Sequence, residues 1–325
     1  MATISVIVPV YFNAQSLPAL IERLGHVAAA EVTHSFEFVF VDDGSGDDSY
    51  QVLQALAVQD RRIRLVQLSR NFGSNLAILA GLTFSQGDCA AFIAADLQDP
   101  PEALHDMIRH WEAGAEVVLA IRQSRAGDPW LTRVFAYVFN QLFKRLVFNE
   151  ISPQGVGFAL VDRKVTRVLV ECSEKNAHLI GLILWSGFRR AVIYYDRVAR
   201  KHGRSRWTFA KKVDYFIDTF VAFSRLPLRI SSTLGFVMAT LGGLYALVIA
   251  FLRITGGIPV QGWTAVMCVI LVTSGTQLVM LGITGEYLWR NFDATRRRPA
   301  FIVSDLTNVQ VPPPQLDFIQ SSPSG

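Results

Sequence analysis

Polar side chains that could do chemistry stand where short apolar runs end. The stretch "CAAFIAAD" ends at Asp96, with Gln98 two residues later, and "EVVLAIR" ends at Arg122. A carboxylate that a strand delivers to the edge of a sheet can serve as a ligand of a metal ion. A guanidinium at a neighbouring strand end suits a phosphate or a carboxylate. Ala94, two residues before Asp96, has no carboxylate. The question is therefore whether Asp96 alone is enough to hold a metal ion.

The elements that must position these residues alternate between strands and helices. Buried strands are predicted at "TISVIVPV", "FEFVFVD", "IRLVQLS", "CAAFIAAD" and "EVVLAIR", with helical patterns between them. This alternation predicts an α/β domain with a mostly parallel sheet covered on both faces. Ligands of such sheets bind beyond the carboxyl ends of the strands. The polar or turn-forming residues expected at that edge are Pro9, Tyr11, Asp42, Asp43, Asp96 and Arg122.

Hydrophobic residues make up 51% of the 325-residue chain, and two runs concentrate them. Ile230 to Leu252 and Ile258 to Gly285 contain no charged residue. Each is long enough to cross about 30 Å of hydrocarbon, so a transmembrane hairpin is predicted over buried core helices. Arginines outside the hairpin outnumber the single Arg253 in its turn, which places both ends in the cytoplasm. The expected location is therefore the inner membrane, multi-pass, with the lipid bilayer as a partner.

A basic stretch between Phe188 and Val213 leads into the apolar, helically spaced segment "WTFAKKVDYFIDTFVAFSRLPLR". We interpret that segment, and the similar Trp130 to Phe148, as amphipathic helices at a membrane interface, with ordinary core helices as the alternative. Because the basic stretch lies between membrane-directed segments, no nucleic-acid partner is expected. Cys89, Cys172 and Cys268 lack metal-ligand spacing, so reduced structural thiols are expected.

Several longer stretches together resemble a known family. They are "VIVPVYFNAQSLPAL", "FVFVDDGSGDDS", "LSRNFGSNLAILAGL", "ADLQDPPE", "GFALVDRKV", "HGRSRWTFAKK", "FSRLPLRI" and "GITGEYLWRNFDATRRRPAFIV". The chain resembles family 2 glycosyltransferases with the Rossmann-like GT-A fold. More narrowly, it is similar to bacterial polyprenyl-phosphate (bactoprenol) glycosyltransferases, relatives of dolichyl-phosphate mannose synthase. The resemblance implies transfer of a sugar from a nucleotide-sugar donor to a polyprenyl phosphate such as undecaprenyl phosphate, for use in the cell envelope.

The resemblance also implies roles for single residues. Pro9, Tyr11 and Asn13 would line the nucleotide base, and Asp42 would hold the base or ribose, while Asp43 either shares this role or fixes the turn. Asp96 and Gln98 would ligate Mg²⁺ or Mn²⁺, which neutralises the diphosphate. The candidates for the lipid phosphate are Arg122, Arg133, Arg200, Ser205 and Arg206, and those for catalysis are Asp96, Arg122 and Arg200.

Two departures from the family pattern bear on the chemistry. Ala94 replaces a first acid before Asp96, and "QGVGFAL" has Gly157 and Ala159 where relatives often carry an acid and an arginine. An alcohol acceptor would need a general base, whereas a phosphate monoester is already anionic at neutral pH. The acid missing at Gly157 therefore favours the phosphate acceptor, whereas Ala94 removes only a supporting acid of the metal site. Asp99 is expected to cap the next helix.

The predicted organisation has four parts: residues 1–206 as the GT-A domain, 207–229 as an interface helix, 230–290 as two transmembrane helices (about 230–252 and 258–285), and 291–325 as a cytoplasmic tail. A processive polysaccharide synthase and a non-catalytic protein that binds nucleotide sugar or lipid phosphate are the alternatives. The sequence leaves open the sugar, with UDP-glucose preferred by resemblance, and whether the chain forms a homo-oligomer.

Overall fold

The computed structural model describes residues 1–123, 141, 156–172, 179–198, 226–255, 262–296 and 298–309. The chain divides into two compact units. One unit comprises Met1–Ala222 and Pro299–Gly325, and the other comprises Phe223–Arg298. The functional candidates of the sequence all fall in the first unit, so its sheet is described first.

The first unit contains an eight-stranded mixed sheet. Its strands are β1 Thr3–Val10, β2 Ser35–Asp42, β3 Ile63–Leu68, β4 Cys89–Phe92, β5 Val117–Arg122, β6 Val156–Asp162, β7 Arg190–Tyr195 and β8 Val303–Thr307. They are ordered β7-β5-β6-β4-β1-β2-β3-β8. The neighbours β1–β2, β1–β4, β2–β3 and β5–β7 are parallel, whereas β6 and β8 run antiparallel to their neighbours. The predicted mostly parallel α/β sheet is confirmed.

Helices follow most of the strands. Their bounds in this unit are α1 Leu17–Ala30, α2 Ser49–Gln59, α3 Ser74–Phe84, α4 Ala103–Glu112, α5 Arg163–Cys172 and α6 Leu179–Trp185. The inner strands are almost wholly apolar because helices cover the sheet; β2, for example, is buried from Phe36 to Asp42. Gly81 of α3 lies so close to β1 that an added Cβ would come within 2.3 Å of Ile7 Cγ2. The helix can therefore press directly onto the sheet there.

A buried ionic cluster fixes the end of the sheet opposite the predicted site. The Glu37 carboxylate lies 2.6 Å from Arg64 Nη1. It also accepts hydrogen bonds from Ser5 Oγ at 2.5 Å and from the backbone N–H of Gln86 at 2.6 Å. The carboxylate is thus paired as well as hydrogen-bonded, which is the condition under which a buried charge is tolerated.

Strand β8 comes from residues that the sequence analysis places in a tail. It pairs antiparallel with β3, and Tyr50 Oη donates a 2.6 Å hydrogen bond to Asp305 Oδ2. Asn308 then donates through Nδ2 to the carbonyls of Ala57 and Ile63. The segment gave no sequence signal because a five-residue edge strand is short and partly polar.

The second unit consists, in its described part, of two long helices, α7 Leu226–Ile254 and α8 Trp263–Thr295. Helix α7 contains the first uncharged run of the sequence, and α8 contains the second from Trp263 onward. Within the described residues, however, no helix has both the length and the apolar character needed to cross a membrane. The prediction of a transmembrane hairpin in a multi-pass inner-membrane protein is wrong on this finding.

The physical reason is that the two runs lack charge but are not apolar throughout. A run without charge is a weaker indicator than sustained hydropathy, because hydroxyl, amide and glycine residues also disfavour hydrocarbon. Such residues interrupt both runs, as Ser231 to Thr233 do in α7 and Thr273 to Gln277 do in α8. The segments assigned to interface helices, 130–148 and 207–229, lie mostly outside the described residues.

Candidate active site

Polar groups from five strands meet at one edge of the sheet. The carboxyl ends of the parallel strands β1, β2, β4, β5 and β7 lie there, together with the beginning of the antiparallel β6. In register, Val10 is opposite Asp42, and Arg122 is opposite Tyr195. This is the edge at which ligands of open α/β sheets bind.

The loop after β1 is fastened to the loop after β2. Phe12 N–H donates to Ser45 Oγ at 3.1 Å, and Asn13 N–H donates to Ser49 Oγ at 2.9 Å. Asn13 Oδ1 in turn accepts from Tyr11 N–H at 3.1 Å. Phe12 adopts a left-handed backbone with φ of 57°, which is costly for an aromatic residue and is held by these bonds. Tyr11 and Asn13 are therefore fixed beside the end of β2.

Asp43 holds the turn of the "DDGS" motif against the "SRNFG" loop. Its two carboxylate oxygens accept hydrogen bonds from the backbone N–H groups of Phe72 at 2.7 Å and Gly73 at 2.9 Å. Burial raises the pKa of Asp43 to about 6, and these two bonds oppose that rise. Both oxygens are used within the protein, which favours the turn-fixing alternative for Asp43.

Asp42 lies beside it and is also buried. Its carboxylate accepts from Ser45 N–H at 3.3 Å through each oxygen. Burial is the main cause that raises the pKa of Asp42, and the Ser45 hydroxyl opposes it. With no exposed surface of its own, Asp42 can reach a nucleotide only if the loop that follows it shifts.

The opening motif forms a tight turn beyond β4. Asp96 Oδ1 accepts a hydrogen bond from Gln98 N–H at 3.2 Å, and the residue between them, Leu97, has φ of 59°. A left-handed leucine is unusual, and such strain is found where a site needs a specific backbone. Asp96 and Gln98 are thereby presented on one turn, with both side chains partly exposed.

Asp99 does not cap a helix. Helix α4 begins at Ala103, and the 2%-exposed Asp99 accepts a 2.5 Å hydrogen bond from Tyr195 Oη instead. The same hydroxyl accepts a 3.2 Å hydrogen bond from Arg122 Nε. Burial, and then the charge of Asp99, raises the pKa of Tyr195, so the phenol keeps its proton at neutral pH. Tyr195 thus connects a carboxylate to a guanidinium.

Gly157 is what makes room for this tyrosine. A Cβ added at residue 157 would lie 1.9 Å from Tyr195 Oη and 2.8 Å from its Cζ. No side chain at residue 157 is compatible with Tyr195 where it stands. The glycine at residue 157 in "QGVGFAL" therefore goes together with Tyr195, whose phenol occupies the space that an acidic side chain would need there.

Arg197 completes the cluster and was not among the site residues predicted from sequence. Its Nη2 donates a 2.6 Å hydrogen bond to Gln98 Oε1, and its Nε lies 3.8 Å from Asp99 Oδ1. Val198 N–H also donates to the Gln98 carbonyl, at 3.0 Å. The basic stretch that begins at Phe188 contained Arg197, but no spacing rule distinguished it from its neighbours, and Tyr195 carried no signal at all.

The residues expected to hold a metal do not fit one as they are arranged. Mg²⁺ and Mn²⁺ take carboxylate and carbonyl oxygens. Gln98 Oε1 is bound to the Arg197 guanidinium, so a cation on that oxygen would face a fixed positive charge. Ala94 offers no side-chain oxygen, and no group of three or more His, Cys, Asp or Glu side chains among the described residues could hold a metal ion.

Of the candidates for the lipid phosphate, one is among the described residues. Arg122 lies at the end of β5, at the site edge. Arg133, Arg200, Ser205 and Arg206 lie outside the described residues. Pro9 is the penultimate residue of β1, next to Val41 of β2.

Comparison with known proteins gives the family. The Glycosyl transferase family 2 matches residues 5–170. A glycosyltransferase of Synechocystis sp. is 34% identical over 95% of this chain and 97% of its own length. The bactoprenol glucosyl transferase of Shigella phage SfV is 31% identical over 93% and 98%, and the prophage bactoprenol glucosyl transferase homolog of Escherichia coli K12 is 31% identical over 92% and 97%.

Solved structures are similar at a lower level. Mannosyl-3-phosphoglycerate synthase from Rubrobacter xylanophilus is 16% identical with a TM-score of 0.49, covering 67% of this chain and 72% of that one. These values are too low to extend to ligands. The match over residues 5–170 and the full-length relatives are sufficient for the family: the chain belongs to glycosyl transferase family 2 and is a glycosyltransferase.

Proposed function

We propose that the protein transfers a sugar, with inversion, from a nucleotide-sugar donor to a polyprenyl phosphate such as undecaprenyl phosphate. The product is a polyprenyl-phosphate sugar for cell-envelope glycosylation, and UDP-glucose is the preferred donor. The observation that carries the proposal is the full-length similarity to bactoprenol glucosyl transferases at 31% identity. The lipid acceptor and the glucosyl group come from the names of these relatives, and the nucleotide UDP is preferred because of the family resemblance.

The site chemistry favours an anionic acceptor. In the transfer, the bond between the anomeric carbon and the donor diphosphate breaks, and a bond to the acceptor phosphate oxygen forms. That oxygen already carries negative charge, so no proton has to be removed from it. Gly157 and the protonated Tyr195 offer no base at the place where relatives often carry an acid. The work that remains for the protein is positioning and charge stabilisation.

Each side of the site has a proposed role. Pro9, Tyr11, Asn13 and Asp42 bind the nucleoside of the donor, and the hydrogen bonds between the loops after β1 and β2 support this role for Tyr11 and Asn13. The buried Asp42 joins them when the loop after β2 shifts. Arg122 binds the acceptor phosphate, with Arg133, Arg200, Ser205 and Arg206 as further candidates from the sequence. A guanidinium matches a phosphate because it can donate two parallel hydrogen bonds.

The test is a transfer assay with radiolabelled UDP-glucose, GDP-mannose and UDP-N-acetylglucosamine as donors and undecaprenyl phosphate in detergent as acceptor. We expect lipid-extractable label from one donor. Arg122→Ala should raise the acceptor KM by about ten- to a hundredfold and leave nucleotide affinity unchanged, because one charge-assisted contact is lost. Asp42→Ala should show the reverse.

Controls separate the alternatives. Arg189→Ala removes an arginine of the same chain that is 75% exposed and pairs with Glu116, so it should change neither constant. Binding of donor and lipid without transfer by any donor would favour the non-catalytic alternative that Ala94 and Gly157 suggest. Loss of donor binding alone in Arg122→Ala would contradict the acceptor role.

A further inference from the structure

Arg197 is anchored in the place where a diphosphate-binding metal would be expected. Its Nη2 contacts Gln98 Oε1 at 2.6 Å, on the turn that also presents Asp96. Its Nε is buried, has no hydrogen-bond partner among the described residues, and lies 3.8 Å from Asp99 Oδ1. The side chain is still 26% exposed, so part of it is accessible to a ligand.

The carboxylate of Asp99 is positioned to hold this guanidinium. Asp99 is held in turn by Tyr195 Oη at 2.5 Å, so the carboxylate that faces Arg197 cannot rotate away without losing that bond. Residue 94, where an acid could support a metal site, is alanine, and residue 157 is a glycine whose space Tyr195 occupies. Among the described residues, the turn therefore offers a dication the carboxylate of Asp96 and the amide oxygen of Gln98, and that amide oxygen already binds a fixed cation.

We infer that Arg197 neutralises the donor diphosphate directly and takes the part that a divalent metal would otherwise play. A guanidinium has five N–H donors, and within the described residues Gln98 Oε1 accepts from one of its nitrogens, Nη2, so donors are left for phosphate oxygens. Charge-assisted contacts of this kind stabilise the charge that develops on the leaving diphosphate when the bond to the sugar breaks. Nucleotide binding is then independent of divalent metal.

The inference rests on the proposed function, since it requires a nucleotide diphosphate as donor. The probes are UDP, GDP and uridine, titrated calorimetrically into the full chain with either excess Mn²⁺ or excess EDTA. UDP affinity should agree within about threefold between the two conditions. Uridine serves to separate contacts with the nucleoside from contacts with the diphosphate.

Variants locate the effect. Arg197→Ala should weaken UDP binding by about ten- to a hundredfold and leave uridine binding unchanged, because only the diphosphate contact is lost. Arg197→Lys should recover part of the loss, since an ammonium keeps the charge without the planar fork. Arg189→Ala, at the other end of the same strand, should change neither affinity. Thermal melting of each variant shows whether the fold is intact.

The outcomes distinguish the two proposals. If UDP or GDP binds with Mn²⁺ but loses more than about tenfold in EDTA, the proposed function stands and the role of Arg197 is refuted. Unchanged UDP affinity in Arg197→Ala would refute it equally. If neither nucleotide binds in either condition, the proposed function fails and the inference fails with it.

Discussion

The close approach between Gly157 and Tyr195 allows a quantitative test of the site's packing. In Gly157→Ala, the new Cβ would lie 1.9 Å from Tyr195 Oη, so the ring has to move. Moving it breaks the 2.5 Å bond to Asp99, worth about 1.5–3 kcal/mol because the acceptor is charged. Overpacking adds about 1–3 kcal/mol. The free energy of unfolding should therefore fall by about 2.5–6 kcal/mol in total.

Tyr195→Phe removes the hydroxyl alone and should cost about 1.5–3 kcal/mol. When Gly157→Ala is then added, that bond is already absent, and the nearest ring atom is Cζ at 2.8 Å from the new Cβ. The second substitution should cost only its steric part. The double variant should therefore be more stable than the sum of the single changes predicts, by about 1.5–3 kcal/mol.

The assay is urea unfolding of the four proteins of this cycle, followed by circular dichroism and tryptophan fluorescence. Coincident transitions establish that one cooperative step is measured. Gly25→Ala is the matched control, because nothing lies within 4 Å of an added Cβ there, and in a helix it should stabilise by about 0.5–1 kcal/mol. If the two costs add within about 0.5 kcal/mol, the two residues do not share this contact and the reasoning is refuted.

Two further predictions concern buried carboxylates. The pKa of Asp43 is about 6 in the folded protein against 3.8 for a free side chain, so the native state holds the proton more firmly and stability is lost as the pH rises through 6. Relative to Asp43→Asn, the wild type should lose up to about 3 kcal/mol between about pH 4 and about pH 7, measured by urea unfolding. Glu37→Ala should lower the free energy of unfolding by about 3–5 kcal/mol, because it leaves the largely buried Arg64 without its carboxylate.

Each of these has its own contrary result. An equal pH dependence in wild type and Asp43→Asn would mean that another group causes it. For Glu37, the control is Asp60→Ala, which breaks the more exposed pair with Arg62 and should cost less than about 1 kcal/mol. Equal costs for the two substitutions would show that burial of the Glu37 pair is not what makes it matter.

Local signals predicted much of the parallel part of the sheet. Strands β1 to β5 are largely apolar because both sheet faces are covered, although Glu37 interrupts β2 and Arg64 and Gln67 interrupt β3. The polar residues at their ends were expected to meet at one edge. The candidate site residues proposed this way include Asp42 and Arg122, which end their own strands, and Asp96, which follows the end of β4. The hairpin prediction failed because it counted charges rather than hydropathy.

The contacts that the sequence did not reveal join residues far apart in the chain. The residues next to Asp99 predicted a helix cap, but its hydrogen-bond partner Tyr195 is 96 positions away. Gln98 was predicted to be a metal ligand, but its side chain binds the guanidinium of Arg197, which is 99 positions away. Whether a polar side chain faces solvent, a cation or a phenol depends on which strands become neighbours in the sheet. Strands β5 and β7 are such neighbours although they are far apart in the chain.

The pairing of β8 with β3 has a consequence for how the protein is made. Residues 303–307 complete the edge of the sheet, yet the ribosome reaches them only after the two long helices of residues 226–295 have been synthesised. Until then β3 remains an open edge, with unpaired backbone groups that invite pairing with other chains. The nascent first unit therefore passes through an interval in which it is nearly complete but exposed, and chaperone protection matters most during that interval.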